Sequence, residues 1–155
     1  LEIEWNNKDP FFDRDLENFK RLHAEGAISV GVIITRGTSL QNSMRDLVIR
    51  FAKEKGLNSL DDLAALGLTP TPRQRTAIIS AVERSSQGHA FSQAWATQFV
   101  SDKFGAATTH WRKLEDRVHR GVGNPCPLLL IGLPASIVNF DETNAENASL
   151  DDIHE

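Results

Sequence analysis

The first five residues, LEIEW, alternate apolar and polar positions, the pattern of a half-buried strand. In that pattern Glu2 and Glu4 share one face, with Leu1, Ile3 and Trp5 turned to the core. NNKDP ends the strand, with Pro10 as its punctuation. FFDRDLENFKRLHAEG then has helical spacing, with an apolar stripe at Phe12, Leu16, Phe19 and Leu22, Asp13 as its N-cap and Gly26 as its stop. AISVGVIITRG is a continuous β-branched run, expected of a strand buried on both faces. Together these form a strand–helix–strand unit, whose first reading is a right-handed parallel crossover.

The middle of the chain has helical periodicity. SMRDLVIRFAKEKG, SLDDLAALG and PRQRTAIISAVER predict three helices, with TPTP at 69–72 breaking the chain before the third. AFSQAWATQFVSDKFG predicts a fourth, carrying Phe91, Trp95 and Phe99 on one stripe. ATTHWRKLEDRVHRG predicts a fifth, apolar at Trp111, Leu114 and Val118. CPLLLIGLP reads as a further buried strand, and SIVNF either extends the sheet or leaves it. No linker divides the chain into two domains.

Composition adds limits. With 155 residues, 40% hydrophobic and 25% charged, the chain can bury one sizeable α/β or α-rich core. A single cysteine, Cys126, excludes an internal disulfide framework and a cysteine-rich zinc site. It also points to the cytoplasm. No apolar run is long enough for a membrane span, and the acidic start is unlike a secretory signal. The net charge of −4 is unevenly placed: the tail DETNAENASLDDIHE, residues 141–155, holds six acids and no Lys or Arg. Residues 1–140 carry 17 basic and 15 acidic groups, so a nucleic-acid partner is compatible with the charge. The tail is expected to be solvated and mobile.

Three stretches carry candidate chemistry. Two carboxylates side by side on a strand, Glu2 and Glu4, repel each other unless a cation neutralises them. A hard divalent ion such as Mg²⁺ does so through oxygen ligands and can assist phosphoryl hydrolysis. Acids at alternating strand positions also commonly just face water. Asn6 and Asn7 offer amides suited to base edges or phosphates, and Lys8 can neutralise a phosphate; an ordinary Asx-rich turn has the same composition. In KFGAATTHWRK, Lys103 precedes Gly105, and Thr108, Thr109 and His110 stand near a helix start, where free N–H groups attract anions. Threonine capping is the plain alternative. In ITRGTSLQ, Arg36 leaves the end of a buried strand and a polar loop leads to Gln41. Ligands favour that end of a parallel sheet, and Arg is a common reader of guanine, but surface loops often contain an arginine too.

EIEWNNKDPFFDRDLENF, GAISVGVIITRGTSLQ and KFGAATTHWRKLEDRVHRG with CPLLLIGL resemble the type II restriction endonucleases of the BglII and BstYI kind, related in fold to BamHI. The resemblance touches most of residues 1–140 and is most specific from Glu2 to Phe19. It implies an α/β fold of the PD-(D/E)xK superfamily, a restriction-endonuclease-like mixed central sheet flanked by helices. It implies a homodimer cutting double-stranded DNA with Mg²⁺ at a palindromic site with a GATC core, alongside a cognate methyltransferase. Glu2 takes the position of the Mg²⁺-binding glutamate. Glu4 takes the last motif position, where no lysine stands, and is expected to orient or deprotonate the attacking water. Asn6, Asn7 and Lys8 fall beside the scissile phosphate, and Arg36 to Gln41 and Lys103 to His110 are candidate recognition elements. The family's upstream acid has no counterpart before Glu2. The expectation is therefore a catalytic domain over 1–140 lacking its N-terminal part, inactive as a fragment, with an acidic tail at 141–155. A nuclease-fold protein that binds DNA without cutting is the competing reading, and an interaction domain with merely exposed acids is another.

Overall fold

The computed structural model describes residues 1–84 and 90–140. The acidic tail expected at 141–155 lies outside the described residues. Strand β1 (Glu2–Glu4) is followed by helix α1 (Phe11–Ala24) and strand β2 (Gly31–Arg36). Helices α2 (Thr38–Glu54), α3 (Leu60–Ala65), α4 (Pro72–Arg84), α5 (Phe91–Phe104) and α6 (Trp111–His119) come next, and strand β3 (Leu128–Leu133) and a 3₁₀ turn at Ala135–Ile137 follow. The sheet order is β1-β2-β3 and both pairings are parallel, with Glu2 opposite Ile33 and Ile33 opposite Leu130. The mixed sheet expected from the resemblance is thus, among the described residues, a small all-parallel one.

Two apolar clusters fill the interior among the described residues. The first packs Phe12, Leu16 and Phe19 of α1 and Leu114 of α6 onto Ile33, with Cys126 beside them. The stripe predicted for the first helix is therefore what covers the sheet. Gly31 lies so close under the Phe19 ring that a Cβ there would collide with it. The second cluster is helical: Ala52, Leu57, Leu63, Ile78, Ala94, Trp95 and Ala96. Trp95 and Phe99 stack there with ring centroids 5.2 Å apart, as their spacing predicts.

The inward face of β1 is the reverse of the expected one. α1 covers the face bearing Glu4, whereas Leu1 and Ile3 are exposed, Ile3 by 60%. The same outward face continues across the register through Ile34 and Ile131. Leu129 and Ile131 are exposed, so β3 is covered on one side only, not buried as a continuous apolar run suggests. The alternation of LEIEW identified two faces correctly. It could not say which one a helix would occupy, because that depends on what α1 packs against.

Helix ends also moved. α1 starts at Phe11 after Pro10, not at an Asp13 cap, since proline suits a helix start and lacks the N–H that would need a partner. α2 starts at Thr38, directly after Gly37, so Gln41 stands in its first turn instead of a loop. Gly37 lies against the β3 backbone, where a Cβ would come within 2.8 Å of the Leu133 carbonyl oxygen. No described helix is long and apolar enough to cross a membrane.

Candidate active site

β1 ends at Glu4, whose main-chain carbonyl accepts a hydrogen bond from Thr35 Oγ1 at 2.7 Å. Its side chain turns inward and is only 2% exposed. Oε2 accepts from Asn7 Nδ2 at 3.0 Å, and Oε1 lies 3.6 Å from Arg14 Nη2. Asp15, on the first turns of α1, is 1% exposed and faces the same carboxyl group. Its Oδ1 accepts from Arg14 Nε at 2.8 Å and lies 2.7 Å from Nη2, and its side chain is hydrogen-bonded with the Glu4 carboxyl. Burial pushes the Glu4 carboxyl from 4.5 up to about 7, with the facing Asp15 adding to the rise; the Asn7 amide and the Arg14 charge offset only part of it. Glu2 lies on the same strand face, less deeply, and its charge also reaches Arg14. The tight carboxylate pair is therefore Glu4 with Asp15, rather than Glu2 with Glu4.

Asp15 and Arg14 were not singled out from the sequence. A signal existed: Asp15 falls three residues after Phe12 and four before Phe19, on the buried stripe of α1. An acid at such a position needs a partner or a task.

The three polar segments meet at the carboxyl ends of β1 and β2. Lys8 and Thr108 form an isolated antiparallel bridge, Thr109 N donates to the Asn7 carbonyl at 2.8 Å, and Asp9 N donates to the Ala107 carbonyl at 3.1 Å. Arg36 is fully buried behind this seam. Its Nη2 donates to Thr108 Oγ1 at 2.7 Å and to the Thr109 carbonyl at 2.5 Å, its Nη1 donates to Gln41 Oε1, and its guanidinium lies over Phe104. Gln41 in turn donates through Nε2 to the Phe104 carbonyl at 2.9 Å. Burial lowers Arg36 to about 10, which leaves it charged at neutral pH.

Thr108 and Thr109 precede α6 rather than cap it; His110 is the N-cap residue and makes no side-chain capping bond. His110 is buried, and its pKa is lowered by that burial and then by the charges of Arg36, Lys113 and Arg112. Both effects favour its neutral form. Asn6, Asn7, Lys8 and Lys103 are exposed. His119 is exposed as well. Beside this rim Lys113 pairs with Asp9 at 3.1 Å, and Arg117 with Asp13 at 2.9 Å, which ties α6 to the start of α1.

Among the described residues, no three His, Cys, Asp or Glu side chains converge to hold a metal. A hard divalent cation often uses only one or two carboxylates and completes its shell with water and phosphate, and Glu2 and Glu4 are the strand carboxylates that would hold one.

The fold thus combines an α/β core, a buried acid pair where β1 meets α1, and an amide- and lysine-bearing rim beside it. Residues 1–133 match the family model of the restriction endonuclease BglII/BglIII family, and the chain belongs to that family. It is thus a restriction endonuclease by family, a nuclease whose substrate is DNA. No curated protein and no solved structure matches the chain.

Proposed function

We propose that the protein hydrolyses DNA phosphodiester bonds with Mg²⁺ at a palindromic site with a GATC core, acts as a homodimer and works alongside a cognate methyltransferase. Membership of the BglII/BglIII family over residues 1–133 supports the reaction class, and the buried Glu4 carboxyl carries the local assignment. In this reading Glu2 holds Mg²⁺. When bound, the ion would offer charge stabilisation to a phosphoryl group and lower the pKa of water. Glu4, held by Asn7, orients the attacking water and accepts its proton. A carboxyl that titrates near neutrality is suited to that transfer.

Asn6, Asn7 and Lys8 lie on the exposed side of the same turn, beside the phosphate being cut, and Lys103 adds a backbone contact from the neighbouring segment. Arg36, Gln41, Thr108, Thr109 and His110 serve recognition from behind. Arg36, Thr108 and Thr109 are buried and bonded to each other, so they shape the seam that presents Asn7 and Lys8.

The test is nicking and linearisation of a GATC-containing plasmid by the full-length protein with Mg²⁺. Glu2→Ala and Glu4→Ala should each lower the rate at least a hundredfold while DNA binding in EDTA persists. DNA binding with no cutting by the parent protein would replace this reading with a non-cleaving DNA-binding protein of the same fold.

A further inference from the structure

The helical half of the molecule has a cavity that shares no residue with the acid pair. Its volume is about 240 Å³, and it lies between the 67–71 segment, α4 and α5. Its floor is apolar and aromatic, with Leu68, Ile78, Trp95 and Phe99 at the edge of the second cluster, where Leu68 and Phe99 stay partly exposed. Drug-sized sites run from about 300 to 1,000 Å³, so this one suits a single ring system.

The polar part of the lining is oriented. Gln74 and Gln98 both donate through Nε2 to Asp102 Oδ2, at 2.6 and 2.9 Å. These two bonds, and then the charges of Arg73 and Lys103, hold the Asp102 carboxyl below the usual carboxylate range. Gln74 Oε1 accepts from Thr71 N at 2.8 Å. Gln98 Oε1 accepts nothing from the described residues, so its amide offers the cavity a fixed acceptor.

Three exposed cations gather at the same place. Lys103 lines the cavity, Arg75 donates through Nε to the Pro70 carbonyl of the lining at 3.0 Å, and Arg73 is near enough to Asp102 for their charges to interact. Among the described residues none of the three is held in an ion pair. The first turn of α4 has no acid to answer its arginines, and positive charge is disfavoured at that end of a helix. Helix stability therefore does not explain the grouping.

We propose that this cavity is a nucleotide site, which takes the ring of one unpaired nucleobase against Phe99 and Trp95, its amino group on Gln98 Oε1 and its phosphate on Lys103, Arg73 and Arg75. An aromatic floor beside a cationic rim is the usual means of holding unpaired nucleotides. Adenine has an amino donor for Gln98, whereas thymine has a carbonyl at the corresponding position and would set oxygen against oxygen. Adenine is therefore the better ligand. A free mononucleotide and a nucleotide displaced from bound DNA present this same chemistry. The site goes beyond the cleavage reading, since it uses neither a metal nor the acid pair.

The experiment is equilibrium dialysis of the full-length protein in EDTA with dAMP, dTMP and inorganic phosphate, with circular dichroism to confirm folding. Binding of dAMP should be about tenfold or more tighter than that of inorganic phosphate, the factor expected of one base–aromatic stack, and severalfold tighter than that of dTMP. Gln98→Leu should remove the difference between dAMP and dTMP, and Lys103→Ala should weaken both severalfold. Binding of dAMP no tighter than that of inorganic phosphate overturns the site. So does a dAMP preference retained in folded Gln98→Leu, or an affinity unchanged in Lys103→Ala. Should Gln98→Leu fail to fold, Lys103→Ala, at an exposed position, decides alone. A duplex with one unpaired 2-aminopurine separates the two sources at saturating protein. Quenching that Gln98→Leu reduces supports a nucleotide of bound DNA, and dAMP binding without quenching supports the free mononucleotide. Plasmid cutting by a parent protein that does not bind dAMP overturns the site and leaves the nuclease reading standing.

Discussion

Glu4→Gln should stabilise the metal-free protein above neutral pH and change little in acid. The Glu4 carboxyl is pushed up from 4.5 to about 7, first by burial and then by the facing Asp15. Between those values the folded protein keeps a proton that the unfolded chain has released. Stability therefore falls as pH rises through that window and levels off above it. Below about pH 4.5 both states are protonated and the penalty vanishes. At about 1.4 kcal/mol per pKa unit, the full penalty above pH 7 is about 3 kcal/mol. Glutamine keeps the shape and an oxygen for the Asn7 amide, but it has no charge to bury.

The difference between Glu4→Gln and the parent should grow from near zero at pH 4 to about 3 kcal/mol at pH 8. For a chain of this size that is a rise in Tm of roughly 6–12 °C. Urea unfolding in EDTA across the pH range measures it, with the m-value showing that both proteins unfold over the same surface. Parallel stability curves for the two proteins would refute the reasoning, because they would mean that Glu4 is ionised as easily in the fold as in the unfolded chain.

Arg36→Met should cost about 3 kcal/mol or more in chemical denaturation, since it takes the guanidinium donor from the buried Thr109 carbonyl and also breaks the bonds to Thr108 Oγ1 and to the half-buried Gln41 amide oxygen. Gly31→Ala should cost about 1–3 kcal/mol by the same measurement, because the new methyl group must displace the buried Phe19 ring. Lys8→Ala and Lys103→Ala, both at exposed positions, should each weaken DNA binding about equally on all sequences. Each should also flatten the plot of log affinity against log salt by about one. A slope unchanged in both variants would place the DNA elsewhere.

Periodicity and local chemistry were enough for the elements. The stripe at Phe12, Leu16 and Phe19, the β-branched run before Arg36 and the spacing of Trp95 and Phe99 each predict what the fold contains, because each is a short-range pattern set by 3.6- or 2-residue repeats. The stretch from Glu2 to Phe19 was also specific enough to indicate the family that residues 1–133 match. Which face of β1 turns inward was not readable, and the apolar Leu1 and Ile3 proved to be on the open side. Nor was it readable that Asp15, eleven positions from Glu4, faces it, or that Arg36 closes on threonines more than seventy residues away. Those relations depend on how α1 and the segment before α6 pack against the sheet. LEIEWNNKDP by itself determined a strand with two acids and a polar end. Only tertiary packing buried one of those acids, faced it with a second from α1, and so made an acidic strand into a centre where ionisation is costly.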